Sequence, residues 1–146
     1  MLDIANIDHV GIRIADRDRS VAFYELLGFR QIADGGFDQG HPLVMLHPTG
    51  ININLLGPAK GKAGENVLMD EPVKFPGITH IALKMKDAEA TEKFVTGHGI
   101  PITGRREYRG TSTIFIRDPD RTVLELVGPG PSVATLIADV GQQQDT

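Results

Sequence analysis

The sequence predicts an α+β fold made of two tandem βαβββ modules within one domain spanning residues 1–146. Three observations carry that prediction. The chain overlays on itself at an offset of 71 residues, placing Ile7 on Ile78, His9 on His80, Asp16 on Asp87, Phe23 on Phe94, Gly28 on Gly99, Pro48 on Pro119, Leu55 on Leu126 and Gly57 on Gly128. Within each copy the hydrophobic period changes from 2 to 3.6 and back, the signature of strand, helix, strand. Gly 17 and Pro 9 in 146 residues punctuate the chain into many short elements. One offset serves both ends of the copies, so they need no net insertion. The first module runs from about 4 to 58 and the second from about 75 to 129. A Gly/Lys/Pro-containing linker, 59–74, joins them, and a C-terminal segment occupies 130–146.

In the first module, IDHVGIRI at 7–14 alternates Val10, Ile12 and Ile14 with His9, Gly11 and Arg13, a strand with one apolar face. Asp16 or Asp18 is a candidate N-cap for a helix through Leu27, with Val21, Phe23, Tyr24 and Leu27 on its apolar stripe and Gly28 as its stop. Strand-like runs follow at about 29–34, 42–47 and 50–56. In the second module Asp87 caps a helix carrying Ala90, Phe94 and Val95 and ending at Gly97 or Gly99, with strands expected near 100–106, 112–117 and 121–127. At the end, Ser132 could cap a short helix with Val133, Leu136, Ile137 and Val140 at helical spacing.

Composition removes several classes of function. Cysteine is absent, so disulfides, thiolate zinc sites, iron–sulfur clusters and a cysteine nucleophile are excluded. The formal charge of −4 gives no electrostatic footprint for nucleic acid or an anionic membrane. Eight aromatic residues and no Trp argue against base-stacking platforms. No run is apolar enough to span a bilayer, and the N-terminus does not read as a signal peptide. The expectation is a cytoplasmic protein acting on a small molecule.

The chemistry concentrates on the polar faces of the strands. If each sheet packs its apolar face on its helix, the other faces carry His9, Arg13, Asn52 and Asn54 in the first module, and His80, Lys84 and Glu125 in the second. Two such faces would form a concave cup. A lone His on a strand is ordinarily a hydrogen-bonded structural residue. Two in register, with Glu125 on a matching last strand, point instead to a 2-His-1-carboxylate metal site with open coordination positions. Such a donor set accepts one divalent ion: Fe, Mn, Ni, Co or Zn. Asn54 occupies the repeat position of Glu125, and a neutral amide there is at most a weak ligand. Lys84 reads as solvated; Tyr108, Phe115 and Val123 are candidates to line a pocket, with Phe115 taken among the substrate-binding residues.

At these residues the sequence resembles the vicinal oxygen chelate superfamily. The matching segments are IDHVGIRIADRDRSVAFYELLGF at 7–29, GITHIAL at 77–83 and IFIRDPDRTVLELVGP at 114–129. The resemblance implies paired βαβββ modules around a metal, with His9, His80 and Glu125 at ligand positions and Asn54 where glyoxalase I and methylmalonyl-CoA epimerase carry Glu or Gln. It implies a glyoxalase I-like lyase or isomerase acting through a metal-stabilised enediolate, in which Glu125 moves the proton and Arg13 holds a substrate carboxylate. Asn52 and Asn54, on the same strand face as Arg13, are taken among the substrate-binding residues. Alternatives within the superfamily are an Fe(II) extradiol-type dioxygenase and a non-catalytic, bleomycin-binding type of protein. Position 121, often Gly in relatives, is Arg. The resemblance also implies a homodimer, in which the site forms within one chain or across two.

Overall fold

Asp16 and Asp87 begin the two helices in the same way. The Asp16 carboxylate accepts from the Arg19 N–H at 2.8 Å, and that of Asp87 from the Ala90 N–H at 2.9 Å. Each satisfies a backbone donor that the helix itself leaves unpaired. The computed structural model describes residues 1–61 and 64–131, so the Ser132-capped helix lies outside the described residues. The strands are β1 (Val10–Arg13), β2 (Arg30–Asp34), β3 (Pro42–Leu46), β4 (Asn52–Leu56), β5 (His80–Lys84), β6 (Gly104–Tyr108), β7 (Thr111–Arg117) and β8 (Val123–Val127). The helices are α1 (Arg17–Leu26) and α2 (Ala88–Gly97), and a 3-10 turn covers Phe37–Gln39.

The order is βαβββ twice. Each module makes a four-stranded mixed sheet, β1-β4-β3-β2 and β5-β8-β7-β6, in which the first strand runs parallel to the last and the other pairs are antiparallel. The repeat extends to individual hydrogen bonds. The Ile14 N–H reaches the Leu56 carbonyl at 3.0 Å, and Met85 reaches Val127 at 2.7 Å. The Phe29 N–H reaches Tyr24 and Ile100 reaches Val95, both at 3.0 Å, closing the two helices after glycines at positive φ, Gly28 (99°) and Gly99 (67°).

Contacts divide the chain into two compact units. The first is residues 1–79 with the turn Asp118–Thr122, and the second is His80–Arg117 with the chain from Val123 onward. In the first, Ile12, Ile14, Leu43, Met45, Ile53 and Leu55 are buried with Tyr24 of α1 and with Phe29. In the second, Ile114, Ile116, Leu124 and Leu126 are buried, as is Val95 of α2. Tyr24 and Val95 are repeat equivalents, and both are almost fully buried.

The turn Asp118–Thr122 lies in sequence between β7 and β8, yet it packs on α1. The Asp120 carboxylate accepts from the Ala15 N–H at 3.1 Å and from the Arg19 guanidinium at 3.1 Å. The Tyr24 hydroxyl donates to the buried Asp118 carboxylate at 2.9 Å.

The strands expected at 50–56 and 121–127 begin two residues later, at Asn52 and Val123, and two others depart further. The first strand is expected over 7–14, but β1 is only Val10–Arg13, paired in register with Ile53–Leu56 of β4. Ile7 is left 82% exposed. The strand expected at 100–106 is displaced to Gly104–Tyr108, because its hairpin to β7 turns through Arg109 and Gly110, both at positive φ.

Gly57 and Gly128, matched by the repeat, have no room for a side chain. A Cβ on Gly128 would stand 2.5 Å from the Ser112 carbonyl oxygen, and one on Gly57 would collide with the backbone and ring of Phe37. Gly57→Ala and Gly128→Ala are each expected to lower unfolding free energy by about 1–3 kcal/mol, the usual cost of overpacking. Urea denaturation checks this, with Gly50→Ala as a comparison whose strain comes from its positive φ alone, since nothing surrounds its Cβ position.

Candidate functional site

In the second unit the strand order brings β5 beside β8. Ala82 is the register partner of Glu125, and His80 that of Val123. His80 and Glu125 therefore sit two positions apart on one face of adjacent parallel strands. Their side chains meet, His80 Nε2 lying 3.0 Å from Glu125 Oε2. Glu125 is mostly buried, with 15% of its side chain exposed, and His80 is more open at 40%. This spacing suits a hydrogen bond. It also suits two donors to one ion, since atoms about 2.1 Å from a metal at right angles stand about 3.0 Å apart.

The first unit carries the equivalent positions with different chemistry. His9 lies one residue before β1, and its Nδ1 is 2.6 Å from Asp8 Oδ1 at the surface. Asn54, which replaces the glutamate, pairs in register with Gly11 and with Val44. The Oδ1 atoms of Asn52 and Asn54 are inaccessible and have no hydrogen-bond partner. Buried acceptors are rarely left so. Arg13 Nη1 donates to the Gly57 carbonyl at 2.8 Å, so one of its donors is committed to its own unit. Arg13 also borders a cavity of roughly 400 Å³ lined by Asp38, Gln39, Gly40, Gly57, Pro58 and Lys60.

The structure thus joins two of the three expected ligands, His80 and Glu125, in one unit. Among the described residues no group of three or more His, Asp or Glu side chains stands together as a metal-holding cluster. Two of the other three histidines serve locally: His47 Nδ1 contacts Thr49 Oγ1 at 2.7 Å, and His98 Nδ1 contacts the Phe94 carbonyl at 2.8 Å at the end of α2. Phe115 is opposite Glu125 in the β7–β8 register and packs over Gly104.

Beside Glu125 lies a cavity of roughly 250 Å³ formed within the second unit and lined by Lys84, Arg106, Tyr108, Arg109, Thr111, Thr113, Glu125, Val127 and Pro131. Lys84, expected to be solvated, borders this space together with Arg106 and Arg109, which the sequence does not single out. The signal was present: period 2 along RREYR puts Arg106 and Tyr108 on one face and Arg105 and Glu107 on the other.

Residues 6–126 match the model of the Glyoxalase/Bleomycin resistance protein/Dioxygenase superfamily. A glyoxalase domain-containing protein, RDO1, of Mycosarcoma maydis is 28% identical over 131 residues, covering 86% of this chain and 69% of that protein. Among solved structures, a glyoxalase family protein from Enterococcus faecalis is 24% identical with a TM-score of 0.69, over 84% of this chain and 96% of the other. A glyoxylase/bleomycin resistance protein/dioxygenase domain from Frankia sp. EAN1pec is 22% identical with a TM-score of 0.71, over 92% and 99%. These structural likenesses extend the match in fold along nearly the whole chain.

Proposed function

Because the chain belongs to the glyoxalase/bleomycin resistance protein/dioxygenase superfamily, we propose that it is a divalent-metal-dependent enzyme of the glyoxalase I kind, a lyase or isomerase of a small oxygen-chelating substrate. The observation that carries this reading is the His80–Glu125 pair at 3.0 Å, an imidazole and a carboxylate converging from neighbouring strands. His9 completes the ligand set, supplied by the same chain or by a second copy in a homodimer. When bound, the ion supplies a Lewis acid that stabilises negative charge on a chelated substrate oxygen.

The protein's own groups do the rest. Glu125, largely shielded from water, is the one carboxylate of the set and takes up and returns the substrate proton. Asn54 brings an acceptor oxygen but no base. That difference weighs against chemistry needing two bases on opposite faces, such as epimerisation. It also leaves a set of two histidines and one carboxylate, the composition used by Fe(II) dioxygenases, which is the second reading.

Elemental analysis and calorimetric titration with Zn, Ni, Mn and Fe(II) test the site. The wild-type protein is expected to take one ion per site, and His80→Ala and His9→Ala to weaken binding by at least about 100-fold, more than the loss of a supporting residue costs. Metal binding unchanged in both variants would remove the assignment. A hemithioacetal isomerisation assay and anaerobic Fe(II) loading followed by oxygen uptake with catechols then separate the two chemistries. No described helix is long and apolar enough to cross a membrane.

A further inference from the structure

We propose that the cavity beside Glu125 is an anion subsite, and that the substrate carries a doubly charged oxyanion, a phosphate or two carboxylates, held by Lys84, Arg106 and Arg109. This rests on the reading of His80 and Glu125 as the reacting end of the site and names the class of substrate that reaches it. Three cations and one carboxylate line the cavity, a net of about two positive charges in a chain whose formal charge is −4. The three cations are exposed, so water softens their mutual repulsion, and an oxyanion bound between them would remove what remains.

Four other arginines are paired with carboxylates. Arg105, the neighbour of Arg106 on the opposite face of β6, grips Glu92 of α2 with both terminal nitrogens, at 2.8 and 2.5 Å. Arg17 meets Asp34, Arg19 meets Asp120, and Arg121 meets Asp70. Among the described residues no carboxylate makes an ion pair with Lys84, Arg106 or Arg109. The two guanidiniums instead rest over the Tyr108 ring, their carbons 5.2 and 5.4 Å from its centroid. That stacking fixes the planes and leaves the N–H forks available for a bidentate oxyanion.

Backbone geometry supplies an independent argument. Arg109 has φ 48° and precedes Gly110 at φ 74° in the two-residue β6–β7 turn. Such turns favour Asn-Gly or Gly-Gly, because other residues are strained at positive φ. Arg109 bears that strain while its side chain stacks over Tyr108 on the cavity wall. The hydroxyl-bearing Thr111 and Thr113 line the same wall and add neutral donors. The volume, roughly 250 Å³, is below that of a drug-sized pocket and suits one small charged group.

The chain has two tyrosines and no Trp, and Tyr24 is buried, so fluorescence change on titration reads Tyr108. Metal-free protein is titrated with inorganic phosphate and with succinate at constant ionic strength, with chloride as control. Saturable binding of phosphate or succinate is expected, the tighter of the two identifying the substrate's charged group. Arg106→Gln and Arg109→Gln are each expected to weaken it about tenfold, the worth of a charged hydrogen bond, and Lys84→Gln to weaken it in the same direction. Arg105→Gln, altered on the other face, is expected to leave it unchanged. Absence of saturable binding by both anions, or equal weakening by Arg105→Gln, overturns the proposal. Metal titration of the same wild-type sample is read separately: anion binding without metal binding overturns the metal reading and leaves the subsite standing, and the reverse overturns the subsite alone.

Discussion

Glu125→Gln is expected to lower turnover by about 10²–10⁴-fold, the range contributed by a positioned acid–base group, while leaving the protein folded. The substitution preserves shape and one acceptor oxygen, so the contact with His80 can persist as a neutral hydrogen bond. What it removes is the negative charge, and with it both the proton acceptor and the anionic ligand. Nearly the whole effect should therefore appear in kcat and in metal affinity, with the urea midpoint close to wild type. Asn54→Gln, which changes the equivalent strand position in the first unit without removing a charge, should change turnover far less. Comparable losses in the two variants would mean that the carboxylate has no special role. Retained turnover in Glu125→Gln at saturating metal would move the base elsewhere.

The repeat is why Glu125 and His80 could be picked out from sequence at all. A single His on a strand carries little information, but a second one 71 residues away also fixes the phase of the strand, its face and its neighbour strand. The N-caps Asp16 and Asp87 and the glycines 28, 57, 99 and 128 were legible for the same reason, since each answers a local steric or hydrogen-bonding demand that recurs. The displaced β6 was hard to place because Arg109 is an unusual residue for a tight turn, although RREYR does alternate with period 2. The cavity beside Glu125 was hidden by the same segment. Its cations come from three places, Lys84 on β5, Arg106 on β6 and Arg109 in the turn, and only the pairing of β6 with β7 and of β5 with β8 puts them around one space. The role of Asp118 was also out of reach. Asp-Pro-Asp announces a turn, but nothing local says that its first carboxylate will be buried against a tyrosine 94 residues earlier.

That buried carboxylate gives the largest expected loss of stability, in Asp118→Ala. Asp118 Oδ2 accepts from the Tyr24 hydroxyl at 2.9 Å, and Oδ1 accepts from the N–H groups of Asp120 at 2.9 Å and Thr122 at 2.8 Å. Only 4% of the residue is exposed. Alanine would strand a buried phenol and two backbone donors, a loss of about 3–5 kcal/mol, a large part of the 5–15 kcal/mol typical of a domain. Asp118→Asn keeps the acceptor for the two N–H groups and should cost far less. Tyr24→Phe, which leaves one carboxylate oxygen unpartnered, belongs between them at about 1–2 kcal/mol. Because each partner's loss orphans the other, Asp118→Ala and Tyr24→Phe should be less than additive in a double-mutant cycle.

The pH dependence separates the parts of this interaction. Burial, opposed by the Thr122, Tyr24 and Asp120 hydrogen bonds and reinforced by the Asp120 charge, holds the Asp118 carboxyl above its ordinary value. A raised folded value means that its favourable contribution is complete below the unfolded value and declines as pH rises through the folded one. The stability of Asp118→Asn should therefore improve relative to wild type as pH rises through the acidic range, since the amide never ionises. Burial, with the Asp118 charge next, pushes the Tyr24 phenol well above its usual value of 10. Its contribution is complete below pH 10 and is lost as pH climbs toward the folded value, so the alkaline fall in wild-type stability should be shallower in Tyr24→Phe. Urea midpoints measured across acidic, neutral and strongly alkaline pH decide the matter: parallel profiles for wild type and both variants would show that the Tyr24–Asp118 contact does not control the stability of this turn.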